Sequence, residues 1–335
     1  MKKAQTLRIA EVVRQGEDAV LVNFSALDGG APGLPFVPGQ YLTLAANVSG
    51  DEHWRCYSIV TDPSADRTIG VLVRRVAGGL VSNWICDHAN AGSALRVLPP
   101  AGRFRLEQTG RAVLLFAGGS GIAPIFALAR QALVDGAPQV FMFYANRDRA
   151  TAMMMDELKE LSQDAGDRLH IRYWYDSEDG YPTPAILSST LDGWKDADAY
   201  LCGPEPFMRL VRAVLQQEGF DPDRVHQEDF GAQDDEDETD TGEGEEAMLA
   251  VQVKGQLHEI PVKSGQSLLS AMLVAGLHVP HSCKVGECAS CMCRLLEGEV
   301  ERLDNSVLDE DDVASGWLLA CSTRAAGRNI RVRFS

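Results

Sequence analysis

Nothing in this 335-residue chain approaches the roughly eighteen consecutive apolar residues of a membrane span. The opening "MKKAQTLRIAEVV" meets Arg8 and Glu11 where a secretory signal would need an unbroken apolar stretch. Membrane insertion and secretion are therefore not expected, and a cytoplasmic location is. Positive charge is also scarce: 31 lysines and arginines face 48 acidic residues, a net charge of −17. That balance argues against nucleic acid or an anionic membrane as partner, because both require a basic surface that displaces counterions. It suits a partner with a positive patch. No internal repeat is present. The length allows two or three domains, and 45% hydrophobic with 24% charged residues is the composition of a soluble globular protein.

The cysteines are unevenly placed. Five of the eight, Cys283, Cys288, Cys291, Cys293 and Cys321, lie near the C-terminal end. In a reducing compartment ligands are expected there rather than disulfides. In "HSCKVGECASC" the spacing is C-x4-C-x2-C, the plant-type [2Fe–2S] pattern, and Cys321 in "LLACST" supplies the distant fourth thiolate. Zinc favours paired C-x2-C knuckles. Only Cys288 and Cys291 form one, with no second pair to face it. Gly286 allows a tight loop whose N–H groups point at sulfur. Cys293, on the strand "MCRLL", reads as a buried structural thiol. His281 would mimic a Rieske ligand, but four cysteines already complete the set.

The acidic run "FGAQDDEDETDTGEGEEA" (residues 230–247) has no core-forming side chains and reads as a solvated linker. It separates the expected domains: 1–106, an antiparallel β-barrel; 107–230, an α/β domain with a parallel sheet; 231–247, the linker; and 248–335, the cysteine domain. The first contains short alternating segments broken by Gly and Pro, such as "AVLVNF" and "TIGVLVRRV". The second alternates buried-strand runs such as "AVLLFA" and "QVFMFYA" with helical stretches.

In "VLLFAGGSGIAPIFALARQAL" a strand, a glycine turn and a helix follow one another, with Pro124 near the first helical turn. Gly118, Gly119 and Gly121 would let backbone approach an anion at the helix N-terminus. The pattern is not G-x-G-x-x-G, since Pro124 takes the third position. "CGPEPFM" places Cys202 and Gly203 at the carboxyl edge of the last parallel strands, where open α/β sheets bind ligands. In the first domain "RCYS" puts Arg55 and Tyr57 on one strand face, a guanidinium for a phosphate and a ring for a flat heterocycle such as a flavin. "GGLVSNWICDHA" reads as a glycine turn into a helix capped by Ser82, a second phosphate site, which points to FAD. Cys56 and Cys86 read as packed thiols. The methionines 153–155 read as one helical turn of core filler.

With "RCYS", "GGSGIAP" and "CGPEPFM" in this order before a plant-type cysteine spacing, the chain resembles the ferredoxin reductase-type oxidoreductases with a C-terminal β-grasp ferredoxin domain. "YANRD" (144–148) and "GWLLACST" make it most similar to the reductases of 3-ketosteroid 9α-hydroxylase and of phenylacetyl-CoA oxygenase. The resemblance implies Arg55 on the flavin pyrophosphate, Tyr57 beside the isoalloxazine and Ser58 near N5. Strict alternation turns Ser58 away from Tyr57, so a bend or a backbone contact is required there. Val73, Val81 and Ser82 would approach the FAD phosphates, and Phe230 would cover the flavin. Gly118, Gly119, Ser120, Gly121 and Pro124 would hold the nicotinamide cofactor together with Asn146 and Arg147. Cys202, Gly203 and Pro204 would lie where its ring meets N5, with Phe207 and Met208 shaping the pocket. Ser58, Cys202 and Phe230 are thus the implied catalytic set. The related phthalate dioxygenase type of reductase, which carries FMN, keeps that flavin as an alternative.

Electron counting explains the parts. A nicotinamide gives two electrons at once and a [2Fe–2S] cluster accepts one, so a flavin must hold the second between transfers. The expected function is an NAD(P)H-dependent reductase, acting as a monomer, that serves a separate oxygenase or hydroxylase. Alternatives are a reductase for a di-iron desaturase or hydroxylase, and a redox-sensing module without turnover. For the nicotinamide, Asp148 suits the ribose hydroxyls of NADH, whereas Arg147 and Arg149 suit the phosphate of NADPH. The wording "YANRD" inclines the expectation to NADH.

Overall fold

The computed structural model describes residues 4–48, 50–229, 247–253, 255–303 and 305–334. Most of the acidic run, residues 230–246, lies outside them, as does Phe230; Ala247, taken above as the last linker residue, opens a strand.

Short segments with every second residue apolar form six antiparallel strands: β1 (Gln5–Gln15), β2 (Ala19–Ser25), β3 (Tyr41–Val48), β4 (Asp51–Ser58), β5 (Ile69–Arg74) and β6 (Ala94–Ala101). Their order is β4-β3-β6-β1-β2-β5, and a bridge between Ile59 and Val71 brings the two edges together as a barrel. Leu7, Ile9, Val22, Leu42, Leu44, Val71, Val73 and Val97 fill its interior, closed by helix α1 (Leu80–His88). Burial does not stop at the interior. On β3 the outward residues Tyr41, Thr43 and Ala45 are buried as well, because another domain covers them.

The middle domain alternates strands and helices: β7 (Val113–Gly118), α2 (Ile122–Val134), β8 (Val140–Asn146), α3 (Met155–Ala165), β9 (Leu169–Tyr175), α4 (Asp176–Asp179), α5 (Pro184–Ser188), β10 (Asp198–Cys202), α6 (Glu205–Gln217) and β11 (Val225–Glu228). All five strands are parallel in the order β11-β10-β7-β8-β9. Both sheet faces are covered, which is why the inner strands β7, β8 and β10 are almost entirely buried and mostly apolar. Leu115 and Ala117 meet α2 on one face, and Leu114 and Phe116 meet α6 on the other. Ala19, Leu21 and Leu72 from the outer barrel surface join the α2 side.

In the last domain β12 (Ala247–Val253), β13 (Gln256–Val262), β14 (Met292–Glu297), β16 (Trp317–Leu319) and β18 (Asn329–Arg333) form a mixed sheet, with β12 and β18 parallel. It packs on α7 (Leu268–Val274), whose first turn is capped by Ser267. β15 (Val300–Arg302) pairs with β17 (Thr323–Ala325), and α8 (Glu310–Ala314) carries a capping box from Asp309. Cys293 is completely buried in this core. The same buried cluster includes Ala45, Trp54 and Leu98 of the barrel, so barrel and cysteine domain share one apolar interface.

Two local expectations fail. The methionines do not form a helical turn: Met154 adopts a left-handed conformation (φ 58°) ahead of α3, where its N–H donates to Gln15 Oε1 at 2.7 Å, although Met153 and Met154 are fully buried core residues. Nor does Ser82 cap α1. The helix begins two residues earlier, with Gly79 as its N-cap, and Ser82 Oγ turns back to accept from the N–H of Val76 at 3.3 Å.

Trp54 is 1% exposed within the shared interface. Trp54→Ala should lower the unfolding free energy by about 3–5 kcal/mol in urea denaturation. A loss under about 1 kcal/mol would contradict the packing described.

Candidate active site and cluster site

The first group of residues collects on β4. Its register with β3 is continuous, pairing Leu44 with Arg55, Thr43 with Cys56, Leu42 with Tyr57 and Tyr41 with Ser58. No bend occurs at Ser58, so its hydroxyl leaves on the face opposite Tyr57. There Oγ is buried without a hydrogen-bond partner, an acceptor or donor held in reserve. Tyr57 packs against the barrel core, and burial raises its pKa. The Arg55 guanidinium donates to the carbonyl of Trp54 at 2.7 Å. Val73 and Val81 point into the barrel core, so only their backbone can face a phosphate, and the Val73 carbonyl already accepts from Cys86 Sγ at 3.7 Å.

Sequence reasoning missed Arg74. It follows Val73 at the end of β5, and its Nη1 is 3.3 Å from where a Cβ on Gly119 would lie. It also faces Asp18 at 3.8 Å. The signal was present in "VLVRR", two cations at a strand end before a glycine turn.

The second group lies at the carboxyl edge of the parallel sheet. β7 and β10 are neighbours from which the chain continues in opposite directions, the switch point at which such sheets open a crevice. A Cβ on Gly121 would come within 2.0 Å of the Cys202 carbonyl oxygen, and one on Gly118 within 2.8 Å of Pro204. A Cβ on Gly203 would come within 2.9 Å of Gly118 Cα. These three glycines therefore interlock two loops, rather than leaving space for a phosphate. Gly119, with φ +53°, faces outward toward Arg74. Ser120 stands in the same short 3-10 turn, and Pro124 is buried in the first turn of α2. Phe207 stacks on Phe143 with ring centroids 6.4 Å apart and lines Gly118 and Gly203, while Met208 is completely buried.

Asn146 ends β8, buried, with its Nδ2 unpartnered. Beyond it Asp148 accepts from Arg147 Nε at 2.8 Å and from the Thr151 N–H at 2.8 Å, which holds its carboxyl down at about 2. Arg149 forms a bidentate pair with Glu178 at 2.7 and 2.8 Å. Both arginines weighed for a phosphate are largely exposed and ion-paired, Arg147 to Asp148 through Nε and Arg149 bidentately to Glu178.

A second residue escaped sequence reading. Glu228 pairs across the ladder with Cys202; its Oε2 is buried without a partner, and burial pushes its carboxyl up to about 8. Burial also raises the Cys202 thiol.

The four cysteines gather in the loop before β14 and the turn after β16. Among the described residues no three His, Cys, Asp or Glu side chains converge as ligands of one ion would. The sulfurs fall instead into two pairs. Cys291 Sγ lies 3.3 Å from Cys321 Sγ, and Cys283 interacts with Cys288. Lys284, Gly286 and Ala289 have positive φ (56°, 75° and 56°), which coils the loop so that N–H groups turn inward. The Glu287 N–H donates to Cys283 Sγ at 3.3 Å and the Cys283 N–H to Cys288 Sγ at 3.5 Å. Two thiolate pairs under converging donors fit a two-iron cluster with bridging sulfides. His281 has its Nδ1 on the Val279 carbonyl at 2.9 Å, while its Nε2 is buried without a hydrogen-bond partner.

A flavin-type barrel, a nucleotide crevice and a paired-thiolate loop in one chain define a nicotinamide-dependent iron–sulfur flavoprotein. Comparison with known proteins agrees. Residues 7–106 match the family described as oxidoreductase FAD-binding domain, 115–213 the oxidoreductase NAD-binding domain, and 251–326 the 2Fe-2S iron-sulfur cluster binding domain. The chain is 34% identical to the ferredoxin reductase component of 3-ketosteroid-9-alpha-monooxygenase from Rhodococcus rhodochrous, over 98% of this chain and 96% of that one. It is 28% identical to a component of the 1,2-phenylacetyl-CoA epoxidase of Escherichia coli, over 100% and 98%. Among solved structures it resembles phthalate dioxygenase reductase, with a TM-score of 0.62 and 26% identity over 99% and 98%. The chain belongs to the family of oxygenase ferredoxin reductase components, with FAD, NADH and a [2Fe–2S] cluster as cofactors.

The Glu228 carboxyl gives a pH test. Its folded pKa of about 8 lies above the ordinary value of 4.5, so between these pH values the folded state holds a proton the unfolded state has released. Stability from this group is present below pH 4.5 and lost as pH rises to 8. Glu228→Gln should therefore match wild-type Tm near pH 4 and exceed it by a few degrees above pH 8. Superimposed pH profiles would remove the assignment.

Proposed function

We propose that this chain draws electrons from NADH and delivers them singly to a separate oxygenase component; the relative named as the ferredoxin reductase component of a 3-ketosteroid monooxygenase supports this. The proposed domain organisation is that expected above with one boundary corrected: barrel 1–106, nucleotide domain 107–230, linker 231–246 and a ferredoxin domain that begins at Ala247, the first residue of β12. The observation that carries the reading is one strand between two regions: on β4, Arg55 and Tyr57, the residues proposed for the flavin, share one face, while on the other Cys56 Sγ lies 3.6 Å from Ser290 Oγ, between two of the four clustered cysteines.

When bound, the nicotinamide gives two electrons together, FAD takes both and releases them one at a time, and the [2Fe–2S] cluster carries one. The protein supplies position. The interlocked glycine turns fix the floor of the crevice outside β7 and β10, and Asn146 and Ser120 offer polar atoms at its rim. Cys202, a neutral thiol raised by burial, presents no charge to a flat ring passing over it. Arg55 offers its guanidinium to the flavin, and Ser58, whose hydroxyl leaves on the opposite face of β4, can meet the flavin only through its backbone. Backbone at Val73, Val81 and Ser82, with the cation of Arg74, provides for phosphates. Cys283, Cys288, Cys291 and Cys321 hold the cluster. Phe230 keeps its proposed place over the flavin. The net charge of −17 supports an oxygenase with a basic docking surface.

Two measurements test this. Purified protein should contain iron and inorganic sulfide in equal amounts and reduce a one-electron acceptor such as cytochrome c with NADH. Serine at Cys283, Cys288, Cys291 or Cys321 should abolish the visible cluster absorption, and Cys293→Ser should preserve it. Loss in Cys293→Ser with retention in any of the four would overturn the ligand set.

For the nicotinamide, Arg149 is taken by Glu178 and Arg147 is tied to Asp148, which supports NADH. The ratio of kcat/KM for NADH over NADPH should exceed one in wild type, and Arg147→Ala should change the NADPH value less than threefold. A strong NADPH preference abolished by that substitution would reverse the assignment.

A further inference from the structure

Alternation on β3 and β4 places Tyr41, Thr43 and Ala45 together with Trp54, Cys56 and Ser58 on the outer barrel face. This is the face buried against the cysteine domain. Two of its polar groups meet the cluster loop. Cys56 Sγ lies 3.5 Å from Thr43 Oγ1, which is itself fully buried, and 3.6 Å from Ser290 Oγ in the loop. It also interacts with the thiol of Cys288 and the hydroxyl of Ser282. Tyr41 is only 7% exposed, and its hydroxyl has no hydrogen-bond partner. Burial raises the pKa of that hydroxyl, and so does negative charge at Cys56, Cys283, Cys288 and Glu287, the ionisable groups near enough to act on it. Its ring is pinned against Gly102, where a Cβ would approach Tyr41 Cδ1 to 3.0 Å.

A buried phenol and a half-buried thiol would not both be directed at an apolar wall, because an unpaired polar group costs free energy there. Both are donors, and on the Cys283–Cys288 side the thiolates and bridging sulfide of a bound cluster are the acceptors at hand. Thr43 can donate to Cys56 Sγ, which leaves the S–H free for the cluster loop.

We propose that the flavin barrel forms part of the cluster's hydrogen-bond shell, with Tyr41 and Cys56 as positioning residues that donate to its sulfur on the Cys283–Cys288 side and raise its reduction potential. Hydrogen bonds to cluster sulfur stabilise the more negative, reduced state, so the potential of the electron acceptor depends on the docking of the domain that holds the donor. This rests on the assignment of the cluster to the four cysteines.

The test is a redox titration of the full-length, cofactor-loaded protein, following the paramagnetic signal of the reduced cluster and, separately, the flavin absorption. Cys56→Ala and Tyr41→Phe should each lower the cluster potential, shifting the equilibrium between flavin and cluster several-fold to tenfold toward the flavin; tenfold is about 59 mV for one electron. The flavin potential should stay in place. Cys56→Ser keeps a donor and should recover most of the wild-type value. If Cys56→Ala and Tyr41→Phe leave the cluster potential unchanged, or if Cys56→Ser falls as far as Cys56→Ala, the donors play no such part. Should Cys56→Ala fail to load a cluster, the isosteric Tyr41→Phe decides on the same criterion. Absence of any cluster signal in wild type would instead overturn the cluster assignment itself.

Discussion

The organisation of this protein depends on the two-residue period of a single β-strand. Strand β4 is paired without interruption to β3 and is covered on both sides, by the barrel interior and by the cysteine domain. Arg55 and Tyr57 must then face one way and Trp54, Cys56 and Ser58 the other. On the proposed function the first face serves the flavin and the second meets the cysteine domain, so one strand ties the two regions together while both interfaces stay packed. The apolar residues Ala45, Trp54 and Leu98 hold the second interface, so the ferredoxin domain has a packed contact in addition to its acidic connection.

A second constraint acts in the nucleotide domain. The turns after β7 and β10 approach so closely that Gly118, Gly121 and Gly203 have no room for a side chain. The crevice is thus defined by backbone meeting backbone, the stiffest contact available, while the variable features sit on its rim: Asn146, the ion-paired Arg147 and Asp148, and the buried carboxyl of Glu228. Rigidity below and chemistry at the edge is the usual division of labour in open α/β sheets.

Much of this was legible in the sequence, for identifiable reasons. Continuous apolar runs disclose strands covered on both faces, and the C-x4-C-x2-C spacing with a distant cysteine encodes a ligand set because all but one of its members are local. What escaped depended on neighbours far along the chain. Cys56 reads as a packed thiol until Ser290 is placed beside it, a separation of 234 residues. Tyr41 is an ordinary strand aromatic until the loop at Cys283 arrives. Glu228 looks like one more acid in an acidic tail, and only its place beside Cys202, with Oε2 shut away from solvent, shows otherwise. Ser82 misleads as a cap because Gly79 and Ser82 both suit a helix start, and the choice is made by the N–H of Val76.

The pleat of β4 also limits how such proteins can be rebuilt from parts. A flavin barrel that works without an attached iron–sulfur domain must expose the even-numbered side of this strand to water, where Trp54 would be a liability. A barrel taken from this chain would carry an adhesive patch into any new setting, and a barrel imported into it would leave the ferredoxin domain facing a surface made for solvent. Deleting or adding one residue between Asp51 and Ser58 would exchange the two sides altogether. Domain shuffling in this architecture is consequently constrained by the outward residues of one strand, more than by the length or charge of the connecting segment.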